Sequence, residues 1–318
     1  CLEGTSISAE SGEVVACPPA RPCATIPLHG AFPLTRTALI AGITGQDGAY
    51  LARHLLHAGY RVVGSSRDAQ SSDTSRLSRL GIRETSVGLS FEQPVECMES
   101  IASGTLNFLE VLRYLGAPTR MFSAGSSECF GDTQKQPATE ATAFRPLSTF
   151  AVAKSTAYCQ VANYREAYGI FCCTGILANH ESPLRPHRFV TQKIIEGVRS
   201  IKRGETHGLR LGNLDIWRDW GWAPEYVVAM HTMLQAPVAK DYLIASGQTT
   251  SLREFVRLAF VTAGLEPGTN LISDATFLRP SDLEYSAMDP SLIAGDLGWK
   301  AEVTLAEIVK RMYEQVLV

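Results

Sequence analysis

No stretch of this 318-residue chain stays apolar long enough to cross a bilayer, which takes about 20 consecutive apolar residues, so no membrane association is expected. Charge of one sign is not in excess either. Lys and Arg number 29 against 32 Asp and Glu, a net charge of -3, and the basic residues are scattered without a polybasic run or interleaved aromatics. That excludes a nucleic-acid surface of the usual kind. Metal and redox spacings are missing as well: the eight cysteines never fall as Cys-x-x-Cys. Cys172 and Cys173 stand side by side in an apolar run and read as small buried hydrophobes of a reducing compartment, with no metal implied. Cys17 and Cys23 could pair if oxidised. The first residues also lack what a secretory signal needs, because Glu3, Glu10 and Glu13 interrupt any apolar core. Residues 1–35 therefore read as an extension, expected to be disordered, and the expected location is cytoplasmic.

With 45% hydrophobic and 19% charged residues, the composition suits a globular enzyme. Thr37 to Ala41 is an apolar run ending in Gly42-Ile43-Thr44-Gly45-Gln46-Asp47-Gly48, after which Tyr50, Leu51, Leu55 and Leu56 repeat at helical spacing. Strand, glycine turn and helix in that order can seat a pyrophosphate, since glycines expose backbone N–H groups and the helix N-terminus favours an anion. A second strand, Tyr60 to Gly64, leads to Arg67-Asp68. A carboxylate there suits the ribose of NAD and an arginine suits a 2′-phosphate, so Arg67 favours NADP, against the plain reading of a solvated charge. Ser71 to Leu80 reads as a loop and short helix, with Arg76 a second candidate phosphate contact.

Between Gly81 and a helix starting near Pro94 the chain is too short. A doubly wound sheet would place two more strands and a crossover helix there, at about 30 residues per βαβ unit. The expected fold is thus α/β, a Rossmann-like doubly wound parallel sheet missing inner strands. Its dinucleotide-binding domain spans 36–178, followed over 179–318 by a mixed substrate-binding region.

Met121-Phe122 reads as the end of a buried strand, followed by the small residues Ser123 to Ser127 and then Glu128 at the rim. A helix from about Ala151 to Gly169 carries Lys154 on its first turn, with Phe150 one turn earlier. Ser-Ser-Glu after a strand, then aromatic-x-x-x-Lys, is similar to the extended short-chain dehydrogenase/reductase superfamily, whose pattern is Tyr-x-x-x-Lys. Phe150 stands where that tyrosine belongs, and phenylalanine cannot shuttle a proton.

Farther on, helix Val95 to Leu115 precedes this strand, and strand Ile170 to Leu177 ends in a polar loop, Asn179-His180-Glu181-Ser182-Pro183-Leu184-Arg185. Adjacent His180 and Glu181 lack zinc-ligand spacing. Lys193 lies early in helix Val190 to Arg203, where a cation opposes the helix dipole and hints at an anionic ligand. Arg218 between tryptophans could stack on a base or clamp a phosphate, or simply pair with Asp219. Arg279-Pro280 is another candidate anion site or an ordinary loop.

From about Thr37 to Val318 the chain resembles the GDP-mannose 4,6-dehydratases, through GITGQDGAYLA, SFEQPV, SSECFG, NYREAYG, GILANHESPLRP, FVTQK, LRLGNLD, RDWG, RPSDLE and LGWK. That resemblance implies bound NADP, conversion of a GDP-linked mannose to its 4-keto-6-deoxy derivative, and assembly as dimers or tetramers. Hydride leaves sugar carbon 4 and returns at carbon 6, while a glutamate removes the carbon 5 proton. It implies Ser126, Glu128 and Lys154 as catalytic. Gly42, Thr44, Gly45, Gln46, Asp47, Gly48, Arg67, Lys154, His180 and Arg185 would bind the cofactor, and Asn179, Lys193, Arg218 and Arg279 the GDP-sugar. Three departures stand out: Phe150 for tyrosine, the absent strands bearing Asp-Leu and Asn-Leu-Ala, and Asp282 for a glutamate. Alternative readings are a non-catalytic nucleotide-sugar or NADP binder, or another extended-type reductase or epimerase.

Overall fold

The first strand of the computed structural model, β1 (Thr37–Ala41), is apolar yet pairs in parallel only with β2 (Arg61–Ser65) among the described residues. Those residues are 36–66, 74–82, 97–116, 118–273 and 283–317. Helix α1 (Gln46–His57) joins the two strands, and the short α2 (Ser75–Arg79) follows. A separate three-stranded parallel sheet runs β3 (Met121–Ala124), β4 (Cys172–Leu177), β8 (Tyr242–Ile244). Helix α3 (Gly104–Leu115), preceded by a π-helical turn at Glu99–Ser103, and α4 (Thr149–Tyr168) flank β3 in the chain.

The split has a physical cause. In the doubly wound order 3-2-1-4-5-6 the fourth strand lies between the first and the fifth. This chain passes from β2 to β3 with a shorter interval than that strand and its crossover need, and among the described residues β1 and β3 have no common neighbour. Inner strands of such sheets are buried on both faces. Every residue of β4 is buried, whereas β1 alternates and leaves Leu39 59% exposed.

A further sheet forms after β4. Strand β5 (Asn179–Glu181) pairs in parallel with β7 (Trp217–Trp222), which also pairs with β11 (Tyr285–Ser286) and, antiparallel, with β9 (Thr249–Ser251). Strand β6 (Leu209–Leu211) pairs with β10 (Leu271–Ser273). The remaining helices are α5 (Val190–Lys202), α6 (Ala223–Gln235), α7 (Leu252–Thr262), α8 (Ser291–Leu297) and α9 (Leu305–Glu314).

One segment differs from expectation, and a second had no element assigned. Asn179 to Glu181 reads as polar loop but is a strand, because β7 supplies the partner, with His180 opposite Gly221. The Trp217–Trp222 run also becomes a strand, since alternate Trp220 and Trp222 fill a core. Two hydrophobic clusters result. One joins Ile40, Ile43, Tyr50 and Leu55 to Ile176, Tyr226, Met230 and Leu243. The other joins Ile194, Val198, Leu211, Trp222, Phe255, Phe260 and Met312. Residues 1–35, Arg67, Arg279 and Asp282, and with them the expected extension and the Cys17 and Cys23 pairing, lie outside the described residues.

Candidate active site

The glycine turn is built by hydrogen bonds and by closeness. Gly42 has φ +80°, and the N–H groups of Gly42 and Ile43 both donate to Ser65 O, at 2.7 and 3.0 Å. Gly45 N donates to Gly42 O at 2.9 Å and opens α1, whose first turn has no side-chain cap. A Cβ on Gly48 would lie 2.3 Å from Gly42 O and 2.7 Å from Ile43 Cα, so only glycine lets the helix approach the turn this closely. An uncapped helix start with glycine-lined backbone fits a pyrophosphate.

Gln46, Asp47 and His180 are brought together beneath that turn. The Gln46 amide donates to His180 O at 3.1 Å and accepts from Ser182 Oγ at 2.7 Å. Buried His180 faces Ala178 O through Nδ1 (2.7 Å) and Asp47 Oδ1 through Nε2 (2.9 Å), while its ring stacks on Tyr226. Two acceptors call for two ring protons, hence an imidazolium. Burial alone would raise the Asp47 carboxyl, but the charge and hydrogen bond of His180 bring it down to about 2. Burial would lower His180, and Asp47 more than reverses that.

The signs give a stability window. The Asp47 contribution is complete above the ordinary carboxylate value of about 3.9 and is lost as pH falls toward 2. That of His180 is complete below about 6.5 and is lost as pH rises through its raised value. Between neutral and alkaline pH the melting temperature is therefore expected to fall, and Asp47→Asn to remove most of this slope. An unchanged slope in the variant would refute the coupling.

Arg76 Nε and Nη1 donate to Leu184 O (2.9 Å) and Thr44 O (3.2 Å), so this guanidinium ties the glycine turn to the segment after β5. Arg185 in that segment lies 3.4 Å from Glu181 Oε2, with its Cζ 3.9 Å over the Phe189 ring.

The candidate catalytic residues Ser126, Glu128 and Lys154 gather at the end of β3. Ser126 Oγ accepts from Glu128 N at 3.3 Å and starts the 3₁₀ turn Ser127–Phe130. Ser148 Oγ donates to Glu128 Oε2 at 3.2 Å and accepts from Ala151 N at 3.1 Å as the N-cap of α4. That cap starts the helix at Thr149, two residues before the position expected from periodicity. Lys154 Nζ donates to Ala124 O at 2.6 Å and lies 5.6 Å from the centre of the Phe150 ring. Burial lowers the Lys154 pKa.

Asn179 lies on β5, Lys193 in the first turn of α5 and Arg218 on β7, where its guanidinium donates to Trp217 O and Leu283 O at 2.8 and 2.7 Å. Asp219 does not pair with Arg218 in these bonds. It accepts from Ser246 N and Gly247 N, and burial pushes its carboxyl up to about 6. Among the described residues no cluster of three or more His, Cys, Asp or Glu is placed to hold a metal. None of their helices is long and apolar enough to cross a membrane. Sequence reasoning missed Ser148, although a serine just before a helix is an N-cap signal. It also missed the Asp47–His180 pair, for which no local signal exists.

Comparison with known proteins supplies the deciding observation: the profile of GDP-mannose 4,6 dehydratase matches residues 39–86 and 83–312. The chain belongs to the GDP-mannose 4,6-dehydratase family. It is 36% identical to a GDP-mannose 4,6-dehydratase of Vibrio cholerae over 344 residues, 87% of this chain and 92% of that one. The fold resembles the dTDP-glucose 4,6-dehydratase of Bacillus anthracis in complex with NAD, with a TM-score of 0.78 at 14% identity over 88% of this chain and 96% of that one. It also resembles RMD from Pseudomonas aeruginosa complexed with NADPH, with a TM-score of 0.72 at 19% identity over 88% and 98%. Within this family the short interval coincides with a break in the match. The two matched pieces meet at residues 83–86, and the 344-residue alignment to the Vibrio enzyme exceeds 87% of this 318-residue chain by dozens of positions.

Proposed function

We propose that the chain is an NADP-dependent GDP-mannose 4,6-dehydratase whose first proton transfer is impaired by Phe150. The observation that carries this reading is geometric: Glu128, just past β3, accepts from Ser148 at the start of the helix that carries Lys154, and Lys154 donates back to Ala124 O at the end of β3. Family membership and solved neighbours that hold NAD or NADPH support it. Gly42 to Gly48 would receive the pyrophosphate, with Arg67 at the 2′-phosphate and His180 and Arg185 behind the turn. Asn179, Lys193, Arg218 and Arg279 would hold the GDP-sugar.

Bound NADP would supply a hydride acceptor and donor, used once in each direction so that no net cofactor is consumed. Lys154, anchored on Ala124 O, orients the ribose side of the site. Glu128 takes the proton from sugar carbon 5, acidified by the ketone at carbon 4, and the Ser126 hydroxyl with Glu128 assists departure of water from carbon 6. A simple reductase or epimerase needs no carboxylate beside the sugar, which favours elimination. Phe150 offers no proton carrier for the carbon 4 hydroxyl, and this favours, as a second reading, a binder of NADP and nucleotide sugar without turnover.

The test is incubation with GDP-mannose and NADP. A 4-keto sugar absorbing in alkali, with no net NADPH, supports the dehydratase; bound GDP-mannose with no product supports the binder. Stoichiometric consumption of NADPH would point to a reductase.

We place a homo-oligomeric contact on α3 and α4. Val111, Tyr114, Leu115 and Tyr168 are exposed there, Tyr114 at 88%. So much outward apolar area on adjacent helices is unusual for a monomer. Val111→Glu with Tyr114→Glu is expected to shift sedimentation from dimer or larger toward monomer. A wild-type chain that sediments as a monomer at all concentrations would overturn this.

A further inference from the structure

Glu128 is exposed, so no packing fixes its carboxylate. Its backbone is fixed, since Glu128 N donates to Ser126 Oγ. Its carboxylate is held from a different element: Ser148 Oγ–H donates to Oε2 at 3.2 Å. The same oxygen accepts from Ala151 N at 3.1 Å and starts the helix that carries Phe150 and Lys154. One hydroxyl therefore has both its donor and an acceptor site engaged, the proton toward the carboxylate and a lone pair toward the helix.

From this we infer that Ser148 is a positioning residue for Glu128. It holds Oε2, leaves Oε1 to face the sugar, and sets base and catalytic helix as one unit. This inference rests on the dehydratase reading of Glu128. An untethered exposed carboxylate samples several rotamers, and a misplacement of about 1 Å can cost 10²-fold in rate.

A half-reaction that bypasses Phe150 tests it. With the full chain, NADP and GDP-4-keto-6-deoxymannose in D₂O, the carbon 5 proton passes to the Glu128 carboxylate and the electron pair moves into the carbon 4 carbonyl. A deuteron from the solvent-exchanged carboxyl then returns to carbon 5, with no net oxidation. Deuterium at carbon 5 is read by mass spectrometry.

Three variants separate the two duties of the hydroxyl. Ser148→Ala loses both. Ser148→Asp caps the helix as well as serine does but cannot donate to Glu128. Ser148→Thr keeps both bonds. The expected result is that Ser148→Asp keeps the wild-type melting temperature yet slows exchange at saturating sugar by about 10- to 100-fold, with little change in half-saturation. Threonine should recover the rate that alanine loses. Wild-type exchange in Ser148→Asp, while Glu128→Gln abolishes it, overturns the role of Ser148 alone. Undiminished exchange in Glu128→Gln overturns the reading of Glu128 and this inference with it, as does no exchange above the enzyme-free rate.

Discussion

Replacing Phe150 by tyrosine is expected to raise turnover of GDP-mannose by about 10²–10⁴-fold, the usual worth of a positioned general acid/base. The surrounding geometry is already in place. The Phe150 ring lies one helical turn before Lys154, 5.6 Å from its ammonium, and is 38% exposed, so an added hydroxyl meets the open site rather than the core. Lys154 is anchored on Ala124 O and would lower the pKa of a phenol beside it through its charge. Single-turnover formation of the 4-keto sugar is the measurement. If Phe150→Tyr binds GDP-mannose and NADP without any gain in product, the fault lies in the opened sheet and the proposed cause of impairment is wrong.

The second large effect is expected at Gly48. In a helix, alanine is normally favoured over glycine by about 0.5–1 kcal/mol. Here the new methyl would meet backbone atoms, Gly42 O at 2.3 Å and Ile43 Cα at 2.7 Å, which cannot turn aside as a side chain can. Overpacking of this kind costs about 1–3 kcal/mol, a serious fraction of a total stability of about 5–15 kcal/mol. The clash therefore outweighs the propensity. Gly48→Ala should lower the melting temperature by several degrees and abolish NADP binding by calorimetry, because relief of the clash requires the turn to move. Gly104 provides the opposite case, since it has helical φ and ψ and the nearest atom to an added Cβ is Glu99 O at 3.6 Å. Gly104→Ala should stabilise. Equal effects at the two sites would show that the close approach of α1 to its turn does not matter.

Among the described residues β1 is paired on one side only, and Leu39 on it is exposed. The shortfall was visible in the sequence as a distance along the chain, because a crossover has a minimum length. How the sheet accommodates it was not visible. Two shorter sheets sharing one hydrophobic cluster through Ile40, Ile43, Ile176 and Leu243 are a result of packing.

The site divides in the same manner. Gly42 to Gly48, Glu128, Phe150 and Lys154 could be picked out because turn chemistry, small-residue runs and helical spacing are local, and the order of those features along the chain carries meaning. His180 and Gln46 were legible only as candidate cofactor contacts. The structure bonds Gln46 to His180 O and to Ser182, and His180 to Asp47, so that residues 46–47 meet residues 180–182 across more than a hundred positions of sequence. Arg76 likewise spends its guanidinium on the carbonyls of Thr44 and Leu184.

By itself, the sequence determined the α/β alternation, the glycine turn, the positions of Glu128, Phe150 and Lys154, and the short interval after Gly81, all of which depend on neighbours in the chain. Only the tertiary structure decided that Asn179–Glu181 and Trp217–Trp222 pair as strands, that Asp47 charges His180, and that one hydroxyl of Ser148 serves both α4 and Glu128. Those are contacts between segments far apart in the chain, and their energies depend on burial and on distances of about 3 Å that no local pattern encodes.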